Sequence, residues 1–123
     1  MAFKKYQSNK IGVDPIYAMP ADDLTYHVGD ALVLSSGHLV KATGTTAPEY
    51  FCVEEAVIGT DGLPLQCVPV EPGALYETTV NSGTVAVGSK YTIHTDAAQI
   101  TSTTTSGVAE VAAIDGDRIF VKF

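Results

Sequence analysis

The side chains best equipped for chemistry in this 123-residue chain are three histidines, two cysteines and a few close-set carboxylates. His94-Thr95-Asp96 puts an imidazole beside a carboxylate. A metal centre needs three or four converging ligands, however, and neither His27 nor His38 stands at a spacing that supplies them. Asp115-Gly116-Asp117 has the opening of a calcium loop but lacks the later ligands, including the closing glutamate, so it reads as a turn. Asp22-Asp23 and Glu54-Glu55 are adjacent pairs. On a strand neighbours point to opposite faces, so neither pair offers two carboxylates to one glycosidic bond. Cys52 and Cys67 lack the spacing of a metal or redox motif and are too few for a disulfide scaffold, so they read as buried free thiols.

Larger catalytic signatures are also missing. The sequence contains no Gly-x-Ser-x-Gly elbow, no Walker loop, no Gly-x-Gly-x-x-Gly and no His-Glu-x-x-His. This lowers the expectation of hydrolase, NTPase or dehydrogenase chemistry, and the reading is of a chain that is not an enzyme, with no catalytic residues, no metal and no cofactor. Fourteen acidic against seven basic residues give a net charge of -7, which repels nucleic acid on average. The balance is uneven: Lys4, Lys5 and Lys10 make the first ten residues +3, while residues 11–123 carry four basic and fourteen acidic groups, or -10. With no tryptophan and six scattered tyrosines, a stacking platform for sugars is not signalled. No stretch approaches the ~20 apolar residues of a membrane-spanning helix. Tyr6-Gln7-Ser8-Asn9 follows Lys4-Lys5 where an export signal would turn apolar.

The elements that would position these residues are strands. At 46% hydrophobic and 17% charged, the composition is that of a folded domain, and the length suits one. Short β-branched runs punctuated by Gly, Asn, Asp and Ser predict an all-β fold, a small β-barrel or β-tulip/sandwich of short antiparallel strands. Residues 1–28, with Pro15 and Pro20, read as an extended N-terminal arm with one or two short edge strands and little core of its own, and residues 29–123 as the barrel domain. Ser36-Gly37 predicts a two-residue hairpin pairing Leu34 with Leu39 and Val33 with Val40, leaving apolar residues on both faces. One face meets the core; the other meets a second surface, which could be a neighbouring subunit or the chain itself. The run from Tyr50 to Ile58, turning at Gly59-Thr60-Asp61-Gly62 and returning from Leu63 with Pro64 and Pro69 as marks of an edge or bulged strand, places Cys52 and Cys67 on neighbouring strands, near enough for oxidation to be conceivable. Asp115-Gly116 predicts a final hairpin that ends the chain on a paired strand, while Thr101–Ser106 reads as an exposed strand or loop.

Two stretches carry a family resemblance. Val28-Gly29-Asp30-Ala31-Leu32-Val33-Leu34-Ser35-Ser36-Gly37-His38-Leu39-Val40-Lys41-Ala42, continuing through Thr43-Gly44-Thr45-Thr46-Ala47-Pro48-Glu49-Tyr50, resembles the decoration (cement) proteins of tailed-phage capsids. Val87-Gly88-Ser89-Lys90-Tyr91-Thr92-Ile93-His94-Thr95-Asp96 and Thr103-Thr104-Thr105-Ser106-Gly107-Val108-Ala109 resemble the second half of such a protein. The likeness spans roughly residues 28–123 and rests on turn-and-strand patterns.

The resemblance implies a homotrimer on the outer surface of the virion, at three-fold or quasi-three-fold positions, partnered by the major capsid protein and by itself. Its role would be to clamp the expanded head by many weak contacts. Synthesis in a reducing host cytoplasm would keep both thiols free. On this reading Lys4, Lys5, Tyr6, Lys10 and Ile11 are capsid-side contacts, and Leu32, Leu34 and Leu39 form the trimer interface. The rivals are another virion module, of tail or fibre, and a trimeric β-fold nucleotide hydrolase.

Overall fold

The structure is a computed structural model and describes residues 2–8 and 14–123. Among the described residues it holds strands and no helix, in chain order β1 (Lys4–Gln7), β2 (Tyr17–Ala21), β3 (Thr25–Tyr26), β4 (Ala31–Ser35), β5 (His38–Lys41), β6 (Tyr50–Cys52), β7 (Ala56–Val57), β8 (Leu63–Pro69), β9 (Leu75–Thr78), β10 (Lys90–Tyr91), β11 (Ala109–Asp115) and β12 (Arg118–Lys122). Strands β2-β5-β4-β6-β8 close into a barrel; β1-β9-β12-β11-β10 form a five-stranded sheet, and β3 pairs with β7. The protein is all-β.

The first hairpin has the expected register, Leu34 opposite Leu39 and Val33 opposite Val40. Ser36 (φ 52°) and Gly37 (φ 83°) are both left-handed, the geometry of a two-residue turn whose twist suits the strands beside it. Alternation then sorts the apolar side chains into two cores. Leu32, Leu39, Cys52, Leu65 and Cys67 point into the barrel, where they meet Ala21, Tyr26 and Ile58. Ala31, Phe51, Val33 and Val68, from the same strands, point out of the barrel into a second core with Tyr76, Val111, Ile119 and Val121 of the five-stranded sheet. The second surface required by the two-faced hairpin is thus supplied by the chain itself.

Residues 1–28 include a short edge strand, β1, as expected of the arm, but they also supply a barrel strand and core side chains. β1 pairs antiparallel with β9, and Phe3 is buried against Phe51 and Phe123, with ring centroids 5.5 and 5.7 Å away. β2 is a barrel stave, antiparallel to β8 along its length and closing the barrel through a single parallel contact, Ala21 with Leu39. Pro20 lies opposite Pro64, where missing N–H groups cost the ladder little. The physical reason for the departure is that Phe3, Ala21 and Tyr26 are all buried core side chains, too sparse along the sequence to make a periodic signal.

The later strands are shorter than the sequence suggested. Val85–Val87 and Gln99–Ser102 are not strands; Ile93 and Ile100 make isolated bridges, and the threonine-rich stretch is a mostly exposed loop. That loop returns beside β10 at Gly107, where a Cβ would stand 2.3 Å from the Lys90 carbonyl oxygen and 2.6 Å from the Tyr91 nitrogen. Backbone on that side cannot yield as a flexible side chain could. Gly107→Ala should therefore lower the stability in urea unfolding by about 2 kcal/mol or more, whereas Gly59→Ala, with open space around it, should change it by less than about 0.5 kcal/mol.

Candidate functional site

Register decides which side chains the five-stranded sheet presents to solvent. Lys4 pairs with Glu77 and Glu77 with Phe120; Asp115 pairs with Arg118, and Glu110 with both Lys122 and Lys90. Direct partners share a face, and Tyr76, Val111, Ile119 and Val121 occupy the inner one. The outer face therefore carries Lys4, Lys90, Arg118 and Lys122, four of the seven basic residues of the chain, against Glu77, Glu110 and Asp115. It is a cation-bearing surface on a protein of net charge -7.

An aromatic pair organises its centre. Tyr6 lies with its ring centroid 4.5 Å from that of Phe120, and the Arg118 guanidinium stands 5.6 Å from the Tyr6 ring and 5.0 Å from the Phe120 ring. Arg118 is held there as a fork, Nε 3.2 Å and Nη2 3.1 Å from the two Glu77 carboxylate oxygens, with Asp115 at 3.5 Å. This fork gives geometry more than energy, since exposed ion pairs contribute little. Its bonds and charge hold the Glu77 carboxyl below its ordinary pKa and raise that of Arg118. Phe120 is buried beneath this lid while Tyr6 stays 57% exposed, a rigid aromatic available to a partner.

Lys4 and Lys5, adjacent in sequence, do opposite things. Lys4 is exposed on the outer face. Lys5 points inward, its Nζ 2.6 Å from Asp14 and 3.1 Å from Glu71, a carboxylate only 7% exposed. Ser8 Oγ donates to the same Glu71 carboxylate, and the Glu71 amide donates to the Tyr76 hydroxyl at 2.9 Å. Burial pulls the Lys5 ammonium down, and the bonds to Asp14 and Glu71 outweigh it, so its pKa is raised. The ion pair is therefore complete below the ordinary lysine value and is lost only as pH rises through the raised one. Lys5 is a structural pin for the amino-terminal strand.

Of the other residues singled out in the sequence, Lys10 and Ile11 lie outside the described residues. Leu32 and Leu39 are wholly buried in the barrel of their own chain, so no neighbour reaches them, while Leu34 is 39% exposed. Leu34, Leu39, Ala21 and Leu63 form one cross-strand row, so the half-exposed Leu34 and Leu63 rim one end of the barrel. Neither carboxylate pair lies on a strand, and the two members of each have different partners. Asp22 faces His38 Nδ1 at 3.1 Å and Asp23 receives no shared partner with it; Glu54 accepts from the Gln66 amide, and Glu55 from the Val28 amide and His27 Nδ1. Asp96 caps its own turn by accepting from the Ala98 and Gln99 amides. The buried Asp30 accepts from the His27 amide at 2.9 Å and faces Lys41 at 3.6 Å; burial raises its pKa against both. Among the described residues no three His, Cys, Asp or Glu side chains are grouped to hold a metal ion.

No protein-family model, curated protein or solved structure matches this chain.

Sequence reasoning named Lys4 and Tyr6 as capsid-side contacts and did not anticipate that Arg118, Lys122 and Lys90 share their face of the sheet. The available signal was the alternation Arg118-Ile119-Phe120-Val121-Lys122, which puts both cations on the face opposite Ile119 and Val121. The two lysines can be separated by experiment. Lys5→Met should destabilise the protein by about 2 kcal/mol in urea unfolding at pH 7, less than the roughly 3–5 kcal/mol of a fully buried pair, because the Lys5 side chain keeps 22% of its surface. Lys4→Ala should stay within about 0.5 kcal/mol of the wild type.

Proposed function

We propose that this protein is a structural, non-catalytic decoration protein that binds the outer surface of a tailed-phage head as a trimer, stabilises the expanded shell, and docks through the outer face of its five-stranded sheet. The observation that carries the reading is the collection of Lys4, Lys90, Arg118 and Lys122 around an exposed Tyr6 on one face of an otherwise acidic β body. A patch of this kind suits a broad protein surface of complementary charge, where many moderate contacts add by repetition over symmetric sites.

Two further features support a mechanical role. The strands are short, and β4, β6 and β8 contribute side chains to both cores, which makes a stiff block. Its buried polar side chains are spent on the chain: Asp30 and Glu71 hold the turns and strands described above, Thr78 Oγ1 donates to the Ala98 carbonyl, and Thr92 Oγ1 bonds Thr101 Oγ1. The likeness of residues 28–50 and 87–109 to head decoration proteins supplies the partner, the major capsid protein. For self-association the reading retains Leu34, with Leu63 beside it on the barrel rim, as the trimer-side contact.

The test is binding to expanded, undecorated heads of the encoding phage, measured by co-sedimentation. Lys4→Glu combined with Lys90→Glu should weaken binding by about tenfold or more at 0.1 M salt while costing only about 1 kcal/mol of stability, from the new carboxylates facing Glu77 and Glu110, and Val57→Ser, on another exposed strand, should bind as the wild type. Equal occupancy by the charge-reversed and wild-type proteins would remove this face from the proposal. Failure of the wild type to bind heads at all would remove the function.

A further inference from the structure

We infer that Cys52 and Cys67 are a cross-strand modification site, a dithiol that closes to a disulfide stapling β6 to β8 without rearranging the barrel. The two residues are direct partners in the register of those strands. The Val53 amide donates to the Gln66 carbonyl at 3.1 Å, and at the other end of the ladder the Val70 amide donates to the Glu49 carbonyl at 2.9 Å. These bonds flank the pairs Cys52/Cys67 and Tyr50/Pro69 instead of joining them. Cys52 and Cys67 therefore occupy a non-hydrogen-bonded position, where Cα atoms stand about 4.5 Å apart and the side chains come closest. That spacing lies within the roughly 4.4–6.8 Å that disulfides span.

Direction agrees with distance. Partners across a ladder point to the same face, and both thiols face the barrel interior, 1% and 0% exposed. Both are free, and Cys52 Sγ donates a weak hydrogen bond to the Glu54 carbonyl at 3.0 Å, which closure would give up. The natural oxidant is a low-molecular-weight disulfide such as oxidised glutathione. One cysteine thiolate attacks it and expels one small thiolate; the second cysteine thiolate attacks the mixed disulfide and expels the other. Two protein thiols and one small disulfide become one protein disulfide and two small thiols, the two protons passing to the departing thiolates and two electrons to the oxidant.

Burial sets the rate. Desolvation pushes both thiols up to about 11, so the closed barrel holds almost no thiolate at neutral pH and shields both sulfurs from the oxidant. Closure must proceed through local opening of the stretch between β6 and β8, or during folding before the barrel is complete. Once made, the bond closes a loop of roughly fifteen residues, enough for a rise of about 10 °C in Tm in a domain of this size.

The inference is independent of whether the chain decorates a head, and its test uses the full-length wild-type protein. The protein is equilibrated at 37 °C over a series of reduced and oxidised glutathione ratios. It is then quenched with N-ethylmaleimide in denaturant and analysed by non-reducing mass spectrometry and thermal unfolding. The expected product is a monomeric chain lacking two hydrogens, with a Cys52–Cys67 linked peptide and the higher Tm. Two alkylated cysteines at the most oxidising ratio, glutathione adducts as the end product, or links between chains would overturn the inference. A Cys52–Cys67 bond that lowers Tm would overturn the claim that the native register accepts it unstrained.

Discussion

The structure depends on strands that are apolar on both faces. β4, β6 and β8 send Leu32, Cys52, Leu65 and Cys67 into the barrel and Ala31, Phe51 and Val68 into the layer beneath the five-stranded sheet. A strand shared in this way couples two cores, because slipping its register by one residue would exchange the occupants of both at once. Neither core alone is large. Holding them through common staves is what lets a chain of this size form both a closed barrel and a covered sheet.

The same sharing explains why the amino-terminal strand matters beyond its length. Phe3 joins the aromatic group of Phe51, Tyr76 and Phe123, and Lys5 forms an ion pair with the buried Glu71. Gly29, at φ +89°, accepts from the Phe3 amide and donates to the Cys52 carbonyl, so the turn before β4 ties β1 to the barrel. With β1 fixed against β9, Lys4 and Tyr6 come to lie over Arg118 and Phe120. The proposed docking face is thus a consequence of the core's construction, and its chemistry is that of charge and shape.

Much of this was legible in the residues. Ser36-Gly37 marks its hairpin because left-handed turn positions restrict residue choice, and alternation in Leu32–Leu34 and Leu39–Lys41 defines the first register; the last hairpin is also where Asp115-Gly116 predicts it, but its turn is Gly116-Asp117, with Asp115 paired to Arg118 and Gly116 alone left-handed. What escaped was long-range. The core contribution of the first 28 residues escaped because Phe3, Ala21 and Tyr26 follow no regular apolar period and are covered by partners elsewhere in the chain, Phe51 and Phe123 for Phe3 and Leu39 for Ala21 and Tyr26. Leu32 and Leu39 read as an interface because a two-faced hairpin does not say whose surface covers it. The division between Lys4 and Lys5 follows from alternation, but its outcome required knowing that Glu71 lay on the inner side.

On the function proposed above, this chain works as a clamp, presenting a shaped and charged sheet face to a repeated surface. Electron cryomicroscopy of intact particles carrying the protein tests it most directly. The account predicts density for three chains around each three-fold or quasi-three-fold position, with β1, β9 and β12 turned toward the shell. Particles whose heads lack that density, or whose bound chains turn this face to solvent, would contradict it.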